Sequence, residues 1–498
     1  MQLSLQTLSQ IDSFRVQKPA NNTLNRPERI LQFGTGVLLR GLCDYYVNRA
    51  NNKGSFNGRI VVVKSTSAGD MACFAKQNNL YTVCVRGLSE GAVVSENIIN
   101  ASISRVLSAS GDWEKVLELA GNPDLNIIIS NTTEVGLQLT RETIHQQPPA
   151  SYPAKLLAFL YQRFRLLGNN ENSKVVIIPT ELISGNGDML KEIVIELVEY
   201  NKLGKEFSEW MNNSAFFCNS LVDRIVTKDP GSSVIAALQD ELGYEDELLT
   251  MCEDYHLWAI EGGDYVRSLL TFADDDGAFV KPDINVFRAL KLHLLNGTHT
   301  FSAPFAVLCG FTTVKQGMKD ERFSRFVEQL MLDEIASAMP FKIAEQEKIK
   351  FGRKVLDRFS NPFLEHHWLN ITLQQTTKMK NRNLPVLTEY QRKFGKAPSR
   401  MATGFAAYLL FMKAVKEENG NYYGKIHDQY YKISDDLAAW FYKLWSRHND
   451  LQQLVIEVLQ NETLWQQRLD VPATFAHAVT EKLRLMLKDG AASALNIK

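Results

Sequence analysis

Four short runs of apolar, largely β-branched residues constrain this chain more than any other feature. They are RILQF (residues 29–33), GRIVVVK (58–64), LNIIIS (125–130) and KVVIIP (174–179), with amphipathic stretches of helical spacing between them. A run apolar on both faces needs cover on both faces, which is the condition of a parallel sheet with crossover helices. Past about residue 284 the pattern changes to helix, as in VFRALKLHLLNGTHTFSA, ERFSRFVEQLMLDEIASAM, SRMATGFAAYLLFMKAVKE, DLQQLVIEVLQ and TFAHAVTEKLRLMLKD, with little strand-like alternation. The expected fold is therefore α/β over residues 1–283, a Rossmann-type dinucleotide-binding domain. A mainly α-helical substrate and catalytic domain is expected over 284–498. A chain of 498 residues is too long for one ordinary core, which agrees with two domains.

Charge and cysteine usage narrow the function. Lys and Arg number 55 against 56 Asp and Glu, so the chain lacks the basic footprint of a nucleic-acid binder. No run of 18 apolar residues predicts a membrane span, and the N-terminus has no basic start followed by an apolar block. Six scattered cysteines without C-x-x-C fit a reduced, cytoplasmic setting, and no local His/Cys spacing points to a metal. A monomer or small homo-oligomer without nucleic-acid or membrane partners is expected.

RILQF is followed at once by Gly34-Thr35-Gly36 and then by VLLRGLCDYYVNRAN, which has helical spacing. Strand, G-x-G and helix is the arrangement that cradles a pyrophosphate: glycines allow close backbone approach, and the helix N-terminus offers N–H donors. Gly34, Thr35, Gly36, Val37 and Leu38 are thus the cofactor-binding candidates. The third glycine of G-x-G-x-x-G falls on Leu39, with Gly41 next, so a plain tight turn is the alternative. The second strand ends in Lys64 rather than Asp or Glu, which leaves NAD against NADP open, as it leaves Lys64 as a solvated loop residue. SNTTEVG (130–136) follows a third strand. Asn131, Thr133 and Glu134 are expected near the cofactor, or Thr-Thr-Glu caps the next helix.

KLHLLNGTHT (291–300) carries the catalytic candidates. Drawn as an α-helix it places Lys291 at 0°, His299 near about 80° and Asn296 near about 140°, an arc shared with Leu292 and Leu295. Polar groups among inward leucines are costly unless satisfied. Beside a nicotinamide they would be useful: a carbonyl undergoing reduction needs a proton donor and support for its developing oxyanion. Lysine can donate the proton when burial lowers its pKa from about 10.4 toward roughly 7–8. An asparagine amide can donate to the same oxygen, and His299 can hold a neighbouring hydroxyl. An exposed lysine with two helix-end polar residues is the alternative.

K-x4-N-x2-H within K-L-x-L-L-N-G-x-H resembles the signature of the polyol-specific long-chain dehydrogenases, the mannitol dehydrogenase family. FCNSLVDRI (216–225), TTEVG and RFSNPFLEH (358–366) are similar to further family segments in the same order, so the resemblance spans roughly residues 27–400. It implies an extended Rossmann domain with a helical C-terminal domain and no catalytic metal. It further implies Lys291 as general acid/base, Asn296 as oxyanion donor, His299 as a substrate hydroxyl contact, and Asp223 and Lys378 as substrate contacts. QFGTGVLLRG (32–41) and VIIPTELISGNG (176–187) look like a hexuronate-reducing branch, which implies reversible NADH-dependent reduction of D-tagaturonate to D-altronate. Two positions depart from the mannitol-type contact set: Leu182 stands for a second oxyanion asparagine, and Asn370 for a substrate-binding arginine.

A charge argument points the same way. In TTKMKNRNLP (376–385), Lys378 and Arg382 are four apart and share a helical face, where they repel by a few tenths of a kcal/mol. Solvent tolerates such a pair; a bound carboxylate would exploit it through the Arg382 fork. Arg288 is a weaker candidate of the same kind. The rival readings are a reductase of fructuronate or of fructose with the same Lys291 machinery, a decarboxylating hydroxy-acid dehydrogenase, and a non-catalytic NAD-binding or sugar-sensing protein.

Overall fold

The computed structural model describes residues 1–20, 22–65, 71–132, 136–227, 229–469 and 473–496. The chain divides into two compact units, Met1–Gly87 with Val93–Ile284 and Leu88–Ala92 with Asn285–Lys498.

The first unit is built on six parallel strands: β1 (Glu28–Phe33), β2 (Arg59–Lys64), β3 (Ile103–Ser108), β4 (Ile127–Ser130), β5 (Val175–Pro179) and β6 (Ala215–Phe217). Their order is β3-β2-β1-β4-β5-β6, that of the doubly wound dinucleotide-binding sheet. Alternate residues enter two separate cores. Ile30, Ile60, Val62, Ile127 and Ile129 face one, while Leu31, Phe33, Val61, Val63 and Ile128 face the other. This two-sided burial is why the strands read as unbroken apolar runs. The strand order reverses between β1 and β4, and the Gly34-Thr35-Gly36 turn leaves β1 at that point. VLLRGLCDYYVNRAN, expected as one helix, is two: Val37–Gly41 and Cys43–Lys53, broken where Leu42 takes φ −129° and ψ −73°.

The second unit is mainly helical, as expected, with two departures. A three-stranded antiparallel meander (Lys416–Glu418, Asn421–Ile426, Gln429–Lys432) stands where the sequence suggested little strand. Its strands mix lysines, glutamates and tyrosines and bury only Gly424 and Tyr431, so no apolar period announces them. The second departure is three π-helical segments, Leu290–Gly297, Gln329–Ile335 and Met379–Asn383. Among the described residues, no helix of either unit is long and apolar enough to cross a membrane.

Candidate active site

In the first unit the turn after β1 has the properties a pyrophosphate cradle needs. Gly34 sits at φ +131°, and a Cβ there would stand 2.9 Å from Leu39 Cδ1 and 3.1 Å from the Asn131 carbonyl oxygen, so glycine is required. A Cβ on Gly36, by contrast, would meet nothing within 4 Å. Open space beside the backbone that caps helix Val37–Gly41 is what a phosphate approaching N–H donors requires, so these residues fit a dinucleotide. Gly41 does the packing that the fingerprint assigns to its third glycine, for its Cβ would stand 2.8 Å from a Val226 methyl.

Lys64 ends β2 and is buried, so it is not the solvated loop residue that one reading allowed. Asn131 spends its side chain on Thr180, donating to the carbonyl at 3.1 Å and the hydroxyl at 3.0 Å. Thr133 and Glu134 lie outside the described residues. Sequence reasoning overlooked Glu181, the acid that follows the β5 run. Its carboxylate accepts from Thr132 N at 2.8 Å, Thr132 Oγ1 at 3.0 Å and Ser130 Oγ at 3.3 Å. Burial nevertheless pushes its pKa up, because desolvation outweighs those bonds.

The VDRI segment proves to be largely scaffold. Arg224 is buried and donates to the Gly41 carbonyl at 2.6 Å and the Glu253 carbonyl at 2.8 Å, with its guanidinium 4.3 Å from the Tyr45 ring centroid. Asn219 Oδ1 accepts from Gly187 N at 3.0 Å, tying the segment to helix Asn186–Tyr200. Asp223 ends the strand Ser220–Asp223, half-buried and in register with Leu257. Leu182, at the departure from the mannitol-type pattern, is exposed.

In the second unit Lys291 and Asn296 lie on the π-helix Leu290–Gly297, inside one continuous helix over residues 285–308. This corrects the α-helical drawing. A π-helix closes its hydrogen bonds over five residues and turns less per residue than an α-helix, so Lys291 and Asn296, five apart, stand closer in azimuth than the about 140° of that drawing. The change of phase also turns Leu292 outward, to 37% exposed, while Leu295 is buried. Lys291 and Asn296 are both half-buried.

Two side chains from the segment 375–383 hold this helix. Pro304 has no N–H to give Thr300, four residues back, and Gln375 Nε2 donates to that carbonyl at 2.6 Å in its place. Asn383 Nδ2 donates to the Gly297 carbonyl at 3.0 Å, and His293 Nδ1 contacts the Arg382 carbonyl at 2.8 Å. Pro304 was visible in the sequence; the residue that answers it, 71 positions further along the chain and in no local motif, was not.

His299 lies in the first turn of the α-helical part, Thr298–Leu308. Its ring stacks on Phe359 at 4.0 Å with planes 6° apart, and meets His366 and Trp368 edge-on at 5.5 and 5.8 Å. The RFSNPFLEH segment therefore builds the wall behind His299. Burial first, then His366 and the cations of Arg358, Arg382 and Lys378, hold the His299 pKa well below its usual value. The imidazole is neutral, and its Nε2 is buried with no hydrogen-bond partner among the described residues.

Lys378 and Arg382 are half-buried on the neighbouring segment. Lys378 Nζ donates to the Ile371 carbonyl at 2.9 Å, and Arg382 donates to Thr300 Oγ1 at 3.3 Å. Neither forms an ion pair among the described residues. Burial and then the Arg382 charge lower the Lys378 pKa to about 8, against an opposing pull from Asp435. Burial lowers Arg382 as well. Of the other candidates, Arg288 is half-buried and donates to Asn285 Oδ1 at 3.2 Å on its own helix, and Asn370 is exposed. Lys291, Asn296, His299, Lys378 and Arg382 are thus grouped on two adjoining segments of the second unit. Asp223 and the glycine turn belong to the first.

Comparison with known proteins agrees with both units. Residues 28–272 match the mannitol dehydrogenase Rossmann domain and residues 283–487 the mannitol dehydrogenase C-terminal domain. Altronate oxidoreductase of Halalkalibacterium halodurans is 36% identical over 94% of this chain and 93% of its own length. The altronate oxidoreductase of Yersinia enterocolitica is 34% identical over 95% and 99%. Among solved structures, D-sorbitol dehydrogenase in substrate-free form shares the fold with a TM-score of 0.77 at 19% identity, covering 99% of this chain and 100% of that one. Mannitol 2-dehydrogenase of Pseudomonas fluorescens does so with 0.65 at 20%, covering 99% of each. Matched across both of its domains, the chain belongs to the mannitol dehydrogenase family and is an oxidoreductase acting on CH–OH groups.

Proposed function

We propose that this enzyme interconverts D-tagaturonate and D-altronate with NAD(H). The observation that carries the substrate class is the Lys378–Arg382 pair: two half-buried cations that form no ion pair among the described residues, beside a neutral histidine whose Nε2 has no partner among them. Uncompensated charge in a partly dry site is costly, and a substrate carboxylate removes the cost. A neutral ketose would leave it in place. The relatives named altronate oxidoreductase support the same choice.

In this reading Gly34, Thr35, Gly36, Val37 and Leu38 hold the pyrophosphate, and NADH, when bound, supplies the two electrons. Lys291 gives a proton to the carbonyl oxygen as it becomes a hydroxyl, and takes it back in the oxidative direction. The Asn296 amide donates to that oxygen while its charge develops. Asp223 contacts substrate hydroxyls. His299, neutral at physiological pH, serves one hydroxyl through Nε2; an imidazolium there would add a third cation to the pair. Leu182 and Asn370, which replace two polar contacts of the polyol pattern, agree with a changed substrate.

The test is NADH oxidation with tagaturonate, fructuronate and fructose supplied separately, repeated with NADPH. Tagaturonate with NADH is expected to give the highest kcat/KM. Preference for fructose over both uronates would reject the assignment.

A further inference from the structure

The segment that bears both cations is fixed at its start by the loop 434–437 of the same unit. Gln374 precedes the helix Gln375–Lys378 at φ +51°, a left-handed backbone that a non-glycine residue keeps only when its surroundings enforce it. They do so here. Gln374 N donates to the Ser434 carbonyl at 2.9 Å, its Nε2 to Asp436 Oδ1 at 2.8 Å, and its Oε1 accepts from Asp436 N at 3.2 Å. Asp435 completes the clamp. Oδ2 accepts from Thr376 N at 2.7 Å, inside the helix, and Oδ1 from Leu437 N at 2.9 Å. The helix Gln375–Lys378 runs on into the π segment Met379–Asn383, so the clamp holds the first turn of the run that carries both cations.

Asp435 also opposes Arg382 electrostatically at Lys378. The charged and titratable groups around Lys378 can be named. Arg382 and Lys380 lie on its own segment, with Lys380 turned to Gln466 Oε1 at 2.9 Å. The loop contributes Asp435 and Asp436, the helix Thr298–Leu308 the neutral His299, and the helix Ser399–Phe411 the Tyr408 hydroxyl, which is bonded to Thr376 Oγ1. The helix Trp368–Ile371 contributes only a carbonyl. Asp435 therefore places a negative charge near Lys378, and Arg382 keeps none among the described residues. With Thr377, Lys380, Trp440 and Asn461, Asp435 lines a cavity of about 470 Å³.

We propose that Asp435 is a positioning residue: it sets the register of the segment carrying Lys378 and Arg382 and places a negative charge near Lys378. The proposal rests on the reading that the pair receives a substrate carboxylate.

Asp435→Asn keeps the size and one acceptor but removes the charge. The expected result is a KM for tagaturonate at pH 8 raised about three- to tenfold, with kcat within about twofold and KM for fructose unchanged. Trace acetylation of Lys378 with acetic anhydride across pH, read by peptide mass spectrometry, reports its titration without any substrate. That curve should move down by about half a unit or more in Asp435→Asn and stay in place in Asp435→Glu. An unchanged labelling curve in Asp435→Asn overturns the proposal. A shifted curve with unchanged KM overturns instead the carboxylate reading on which it rests.

Discussion

The turn after β1 and the segment 374–383 are both suited to an anion, and they achieve it in opposite ways. The turn uses backbone: glycines at two positions, one strained and one facing open space, ahead of a helix N-terminus. The segment uses side chains, two half-buried cations that donate to one carbonyl and one hydroxyl, with the Asp435 charge near Lys378. Backbone donors suit an anion common to every turnover, since they do not titrate. Side-chain cations suit the variable partner, because their number, reach and charge state can change without disturbing a strand or a turn.

Breaking each site should therefore give a distinct result. The largest effect belongs to neither anion site. Lys291→Ala should lower turnover by about 10²- to 10⁴-fold while NADH binding stays within about threefold, measured by fluorescence titration. Near-normal turnover would remove Lys291 from acid/base chemistry.

The two glycines should separate stability from cofactor binding. Gly34→Ala forces a side chain into φ +131° and against the Asn131 carbonyl, and should cost about 1–3 kcal/mol in denaturant unfolding. Gly36→Ala meets no protein atom at φ −63° and ψ 152°, so its Tm should stay within about 2 °C while the Kd for NADH rises at least about tenfold. Unaltered NADH affinity in Gly36→Ala would mean that the open space is not the pyrophosphate cradle.

The smallest effect distinguishes the sites by pH. Lys378 is cationic below about 8, so KM for a uronate should climb about fivefold between pH 8 and 9 as the charged fraction falls, while KM for fructose stays level. The sign for the free protein is opposite to that of a stabilising ion pair. The folded pKa lies below the unfolded one, so the unfolded chain binds more protons between about 8 and 10.5. The contribution of Lys378 to stability accordingly rises with pH across that window. A level uronate KM would exclude Lys378 from carboxylate binding.

These two regions also differ in how far the sequence discloses them. The six-stranded sheet was legible because strands buried on both faces write continuous apolar runs, and the turn because glycine marks its own backbone requirement. The helix bearing Lys291 was legible as a helix, but not in phase: a π segment looks like α in composition, and only Leu292, expected inward and found exposed, betrays the shift. The meander over residues 416–432 stayed hidden because its faces are polar or half exposed. Gln375, Asn383 and Asp435 were missed for a different reason. Each answers a need created elsewhere in the chain: the Thr300 carbonyl freed by Pro304, the Gly297 carbonyl, and the unpaired Thr376 N–H in the first turn of a helix. Such partners are set by tertiary structure, which local spacing does not encode.

The central claim is that a carboxylate completes the Lys378–Arg382 pair. Its most direct test is the ratio of kcat/KM for tagaturonate to that for fructose, with NADH at pH 7, in the natural protein and in Arg382→Ala. Loss of one charge-assisted bond of about 1.5–3 kcal/mol predicts a ratio lowered roughly 10- to 100-fold. A ratio left unchanged, with both substrates weakened equally, would contradict it.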